Sequence, residues 1–237
     1  MKKSVLFIGI LSLLLCSCYK PTEFRFQSLS KTAPDEPVFT HSTQFTNPYF
    51  PARENTTYIY EGETEDGMEH IEERRLNVTR TIMGVECIIV NFRAYVNGNL
   101  VEEAFDWYAQ DDAGTVWYFG EAVDNYLEDG TLADHAGSWE AGVDGAEAGI
   151  LMLAAPRMGM KYREEFYPDN AEDEAQVIGV NLTIETPLGT YTNCLKTKNW
   201  SKLEPGIIEH KYYAPGVGLV KEVNLQEKEE IFLISIL

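Results

Sequence analysis

Basic residues are scarce in this sequence. Its 237 residues hold 19 Lys and Arg against 38 Asp and Glu, a formal net charge of −19. A surface of that sign repels phosphate backbones, so nucleic acid is not an expected partner. Histidine is equally sparse. His41 falls in a polar N-terminal stretch, His70 and His135 in what read as polar turns, and His210 in a strand beside Glu209. No H-E-x-x-H pair, G-x-S-x-G elbow or phosphate-cradling glycine loop is present, so no metal, cofactor or catalytic residue is expected from motif. The acidic run Asp169, Glu172, Asp173 and Glu174 lacks the alternating spacing of an EF-hand loop and reads as a solvated charge run.

Long apolar runs are also missing, with one exception. After Lys2 and Lys3, Val5 to Leu15 is apolar or small throughout. As a helix it would rise about 16 Å, about half of a ~30 Å bilayer core, which fits the core of a signal peptide and not a spanning helix. Leu15-Cys16-Ser17-Cys18 then resembles the bacterial lipobox, with Leu three residues before the cysteine and a small residue just before it. That resemblance implies cleavage before Cys18 and multiple acylation there, enough lipid for stable anchoring. Removing residues 1–17 takes away two lysines and no acid, which moves the net charge from −19 to −21. The expected location is the cell envelope, with the chain lipid-anchored at the outer membrane. Of the four cysteines, Cys16 leaves with the leader and Cys18 carries lipid. Cys87 and Cys194 remain as a candidate disulfide in an oxidising compartment, or as two small buried hydrophobes.

Residues 18–45 are polar, without helical or strand period, and read as a lipidated flexible tether. The remainder, 46–237, has the signals of an all-β domain; the chain's hydrophobic fraction of 44% and aromatic fraction of 12% are enough for a core. Thr57–Tyr60, Val85–Val96, Leu100–Gln110, Thr115–Phe119, Tyr162, Gln176–Glu185, Thr190–Trp200, Ile207–Tyr213, Gly218–Leu225 and Ile231–Leu237 read as strands. Asn97-Gly98 is a strong hairpin signal. Residues 121–150, rich in Gly and acids, read as a long loop with one short helical turn. A curved antiparallel meander or half barrel is the expected fold.

Self-similarity supports an internal duplication, with copies near 51–120 and 156–225. Thr81-Ile82-Met83-Gly84 with Cys87 matches Thr186-Pro187-Leu188-Gly189 with Cys194. Asp106-Trp107-Tyr108-Ala109 matches Lys211-Tyr212-Tyr213-Ala214. Val116-Trp117-Tyr118 matches Leu219-Val220-Lys221. Alternation sends Trp107 and Tyr108 to opposite sheet faces, and likewise Tyr212 and Tyr213. Trp107, Tyr108, Trp117, Tyr118, Tyr212 and Tyr213 are therefore the candidate ligand-binding residues, one of each neighbouring pair filling core and the other free to line a concave surface.

Three stretches resemble a family of bacterial lipoproteins and secreted proteins without assigned activity. They are Ala104–Asp111 through Trp117-Tyr118-Phe119-Gly120, Gly137–Ala146, and Glu204-Pro205-Gly206 through Tyr212–Val220. The resemblance implies an envelope lipoprotein and transfers no reaction. The leading expectation is a non-enzymatic protein that binds a small apolar or sugar ligand, or an envelope protein. A surface hydrolase using carboxylates such as Asp106 with Glu209, or a purely structural role, stands as the alternative.

Overall fold

The computed structural model describes residues 36–237. The leader, Cys18 and most of the tether lie outside the described residues. Among those described there is no helix. Fourteen strands form one open antiparallel sheet that does not close into a barrel. The first unit is a meander of β1 (Thr57–Thr64), β2 (Gly67–Ile82), β3 (Val85–Val96), β4 (Asn99–Gln110) and β5 (Val116–Tyr126). Short strands β6 (Leu132–Asp134), β7 (Trp139–Glu140) and β8 (Gly149–Met152) all pair with β5. The connection expected to hold a helical turn is thus made of strand fragments that cover the edge of β5, where unpaired backbone groups would otherwise be exposed. The second unit is β9 (Lys161–Arg163), β10 (Asp173–Thr186), β11 (Gly189–Ser201), β12 (Glu209–Ala214) and β13 (Gly218–Asn224). The last strand, β14 (Glu229–Ile236), joins the units by pairing β13 on one side and β1 on the other.

Local chemistry explains the hairpins. Asn97 and Gly98 both have positive φ, 51° and 83°, as a two-residue hairpin turn requires. Met83 and Gly84 repeat that geometry between β2 and β3, at 50° and 83°.

The matched segments fall on strands in the same order. Thr81–Cys87 spans the β2–β3 hairpin and Thr186–Cys194 the β10–β11 hairpin; Asp106–Ala109 ends β4 and Lys211–Ala214 ends β12. A register shift falls between Trp107 and Tyr108 where β4 meets β5, and another between Tyr212 and Tyr213 where β12 meets β13. A bulge places two residues opposite one and sharpens local twist. The same device at matching positions is what two copies of one unit would share. The register pairs Tyr108 with Tyr118 and Tyr213 with Leu219. Tyr118, and not Val116, is therefore the counterpart of Leu219, because the β4–β5 connection is longer than the β12–β13 one.

Two thiols expected as a candidate disulfide are free. Cys87 and Cys194 are both fully buried, yet they belong to different core clusters. Burial pushes the Cys87 thiol up to about 12, so it is inert in the fold. Alkylation of the unlipidated chain from Tyr19, without reductant, is expected to add two labels in denaturant and none in the native state. Two labels missing in denaturant would mean a disulfide.

The packed chain also begins earlier than residue 46. Phe39 meets Trp117 and Phe119 edge to face, at 6.3 and 5.8 Å. Thr40 donates through its backbone N–H and its hydroxyl to Asp112, at 2.9 and 2.6 Å. Further on, Gly216 N–H donates to the Pro48 carbonyl at 2.6 Å. The segment therefore straps the β4–β5 turn to the β12–β13 turn, the corresponding turns of the two units. The aromatic residues Phe39, Phe45 and Phe50, interspersed in a polar composition, explain why this stretch packs. Asn47 pins the strap: its amide donates to the carbonyls of Gly114 and Leu153, at 2.9 and 3.0 Å. Asn47→Ala is expected to cost about 2 kcal/mol in urea unfolding, since both carbonyls would lose a buried partner.

Candidate functional site

The inward faces of the strands carry acids where a core would ordinarily be apolar. On β2 the inward series is Glu69, Ile71, Glu73; on β4 it is Glu102, Ala104, Asp106, Tyr108. Glu69, Glu102 and Asp106 are buried. Strand alternation forces this placement, because residues two apart share a face and Ile71 and Ala104 belong to the core.

All of these inward residues except Glu69 and Ile71 line a cavity of about 90 Å³ between the two units. Its walls are Glu73, Phe92, Glu102, Ala104, Asp106, Tyr108, Tyr118, Glu121, Leu151, Glu164, Glu165, Asp173, Lys211 and Tyr213. Asp106 and Lys211 hold matching positions in the two units, as do Tyr108 and Tyr213, so the cavity is lined by corresponding strand ends carrying opposite charge at one position. Drug-sized pockets occupy about 300–1,000 Å³, so this one holds only a few waters or a very small molecule. An acyl chain or a sugar ring does not suit its size or its acidity.

Some of the carboxyls are well partnered. The Tyr118 hydroxyl donates to Asp106 at 2.6 Å, and the Tyr60 hydroxyl to Glu73 at 3.3 Å. The Asn199 amide donates to Glu164 at 2.6 Å, and Asn199 is itself held by the Thr197 hydroxyl at 2.6 Å. Lys211 lies 3.5 Å from Glu209 and 3.6 Å from Glu222. In contrast, Glu165 Oε2 and Asp173 Oδ1 are buried with no hydrogen-bond partner.

Burying a carboxylate penalises its charged form, and crowding carboxylates adds repulsion. Burial first, then the charges of Asp106 and Glu69, push Glu102 up to about 8. Burial carries Asp106 to about 7 despite the Tyr118 hydrogen bond. Glu164 reaches about 7 and Asp173 about 6, again chiefly by burial. Glu121 lies well above the usual carboxylate range by burial and then by the charges of Glu165 and Asp106; Glu165 does so by burial and then by those of Asp173 and Glu164. Burial pulls Lys211 down, but the charges of Glu222 and Glu209 outweigh it and hold the ammonium charged.

The six aromatic candidates divide as alternation requires. Tyr108, Tyr118 and Tyr213 line the cavity; Trp107, Trp117 and Tyr212 do not. Trp107 packs under Arg80, whose guanidinium carbon lies 4.2 Å from the ring centroid. Trp117 donates to Asp111 at 2.9 Å. Tyr212 lies on the outer face with Lys196 4.9 Å above its ring. Arg93 pairs with Glu103 at 2.8 Å, and Lys198 sits over Trp200 at 5.1 Å. Asp106 and Glu209, read as a catalytic pair, do not form one: Asp106 lines the cavity, while Glu209 faces Lys211 and is not part of the wall.

Other assignments need correction. His70 lies within β2, 3.0 Å from Glu61, and not in a turn. His135, by contrast, does lie exposed beside a turn, 2.7 Å from Asp124. The acidic run 169–174 is not uniformly solvated. Glu172 pairs with Lys202, Glu174 pairs with Lys161 at 2.9 Å, and Asp173 turns into the cavity. Among the described residues no three His, Cys, Asp or Glu side chains converge closely enough to hold a metal ion.

No protein-family model matches the chain. No curated protein matches it either. Two solved structures are similar in fold. One is a Bacteroides fragilis protein described as exported, with a YmcC-like fold; identity is 14%, coverage 80% of this chain and 98% of that one, and the TM-score 0.45. The other, from Parabacteroides distasonis and described as a lipoprotein, shows 14% identity, coverage of 81% and 99%, and a TM-score of 0.43.

Proposed function

We propose that this chain is an envelope lipoprotein, anchored through Cys18 at the outer membrane, whose two-unit sheet binds a small polar ligand in the acidic cavity. The lipobox resemblance supports the location. The observation that supports binding is the pair of buried, unpartnered carboxylate oxygens on Glu165 and Asp173. Native folds satisfy nearly all buried polar atoms, so orphaned acceptors around a void suggest a missing partner. Labelled fatty acid should attach to the wild-type chain and not to a Cys18→Ser variant. A thermal-shift screen of small polar metabolites on the unlipidated chain tests the cavity; no stabilising compound in any class would remove the binding role.

A carboxylate-dependent hydrolase remains a second reading, favoured by one observation. Asp106 and Glu164 near 7 and Asp173 near 6 are poised to exchange protons at neutral pH. Hydrolysis of chromogenic esters and glycosides that is lost in Asp106→Asn, with the fold intact, would establish it.

A further inference from the structure

The cavity reading can be carried one step further, to the chemistry of its occupant. We propose that the cavity takes a small organic ammonium group, a primary amine on a short carbon stem. The inference rests on the binding role proposed above and adds the ligand class.

Three observations converge. First, the orphaned acceptors are deeply placed: Glu165 is only 5% exposed, its Oε2 has no donor, and the residue lines the void. An acceptor without a donor calls for an N–H or O–H donor, and among carboxylates a cationic donor is favoured over a neutral one. Second, the acids are spread around the wall and do not converge on one point, as the absence of a three-ligand cluster among the described residues shows. Calcium needs six to eight oxygens at about 2.3–2.6 Å around a single centre. An ammonium group on a stem instead needs dispersed acceptors and an aromatic surface, which Tyr108, Tyr213 and Phe92 provide. Third, the wall already accommodates one ammonium. Lys211 enters the wall from the second unit and stays charged beside Glu209 and Glu222. Its charge also eases the ionisation of Glu165 and Asp173, so a cation is already a favoured neighbour of these acids.

The size sets the limit. A void of about 90 Å³ takes ethylamine, ethanolamine or one end of a diamine, and not a full polyamine or a choline ester.

The test uses the unlipidated chain from Tyr19, which keeps every residue of the described fold. Thermal shift and isothermal titration at pH 8 would compare ethylamine, ethanolamine and 1,4-diaminobutane with ethanol and 1,4-butanediol, and with calcium and magnesium chloride. The expected result is a rise in Tm with at least one amine, a Kd below about 1 mM, within the efficiency open to so few atoms, and no effect of the neutral alcohols or the metals. Glu165→Gln and, independently, Asp173→Asn should each weaken amine binding at least tenfold. Glu103→Gln, which removes the outer-face partner of Arg93, should leave it unchanged. If the alcohols or other neutral compounds bind and the amines do not, the ammonium class is wrong while the cavity role stands. Stabilisation by calcium or magnesium alone also overturns it. If nothing in this set or in the wider screen binds, both the class and the cavity role fall.

Discussion

The unlipidated chain should be most stable near pH 5 and lose several kcal/mol by pH 8.5, the reverse of what a surface rich in paired carboxylates would give. The reason is the direction of the shifts inside the cavity. A carboxyl whose folded pKa lies above its unfolded value holds its proton more tightly in the fold. Its contribution to stability is complete below the unfolded pKa, near 4.5, and is lost as pH rises through the folded one. Here the folded values run from about 6 at Asp173, through about 7 at Asp106 and Glu164, to about 8 at Glu102. Glu69 at about 7 and Glu222 at about 8 act in the same sense. One unit corresponds to about 1.4 kcal/mol, so Glu102 alone represents on the order of 5 kcal/mol. His210, held below its usual value by burial and by Lys196 and Lys198, works the other way, but it is a single group on the outer face. Urea unfolding midpoints from pH 4.5 to 9 measure this. A stability that is flat or rising toward pH 8.5 would show that the acids are solvated.

The second large effect concerns a single side chain. Glu165→Gln should stabilise the chain at pH 8.5 and change it little at pH 5. At pH 5 the carboxyl is protonated and resembles the amide in shape and polarity. At pH 8.5 the wild type must either ionise in a buried, repulsive environment or hold a proton against the solution. The amide avoids both, and its N–H₂ can donate to a neighbouring carboxylate. A residue whose removal improves stability is one retained for something other than folding, as binding and catalytic groups commonly are. Equal destabilisation at both pH values would instead mark Glu165 as an ordinary structural partner.

Much of the fold was legible because it rests on local signals. Asn97-Gly98 forms the turn its chemistry requires, and Val85–Val96 forms a strand along its β-branched run. The matched halves of the sequence correspond to the two meanders because the bulged pairs, Trp107-Tyr108 and Tyr212-Tyr213, carry recognisable aromatic residues. β2 was not legible. Its 16 residues, Gly67–Ile82, include Glu69, Glu72, Glu73, Arg74 and Arg75, and no apolar face shows in the alternation. The inward face is itself acidic there, so the rule that buried faces are apolar hides the strand. The same reversal hides the site. An excess of carboxylates reads as surface charge, and only the register of β2, β4 and β10 reveals that a subset is turned inward. One signal was present: Glu102, Asp106 and Tyr108 share a face with Ala104, and Asp106 corresponds to Lys211 in the other unit. Sequence periodicity alone cannot choose between two mixed faces of one strand. The tether boundary was missed for a similar reason, since Phe39 and Phe45 pack singly among polar neighbours and generate no period.

The most direct measurement is a carbon-detected NMR titration of the side-chain carboxyls, assigned by single Glu→Gln and Asp→Asn variants. Glu102, Asp106 and Glu164 are expected to titrate between about pH 6.5 and 8.5, far from the bulk of the surface acids near 4. If all three instead titrate with the surface acids, the interior is wet and open, and there is no acidic cavity to fill.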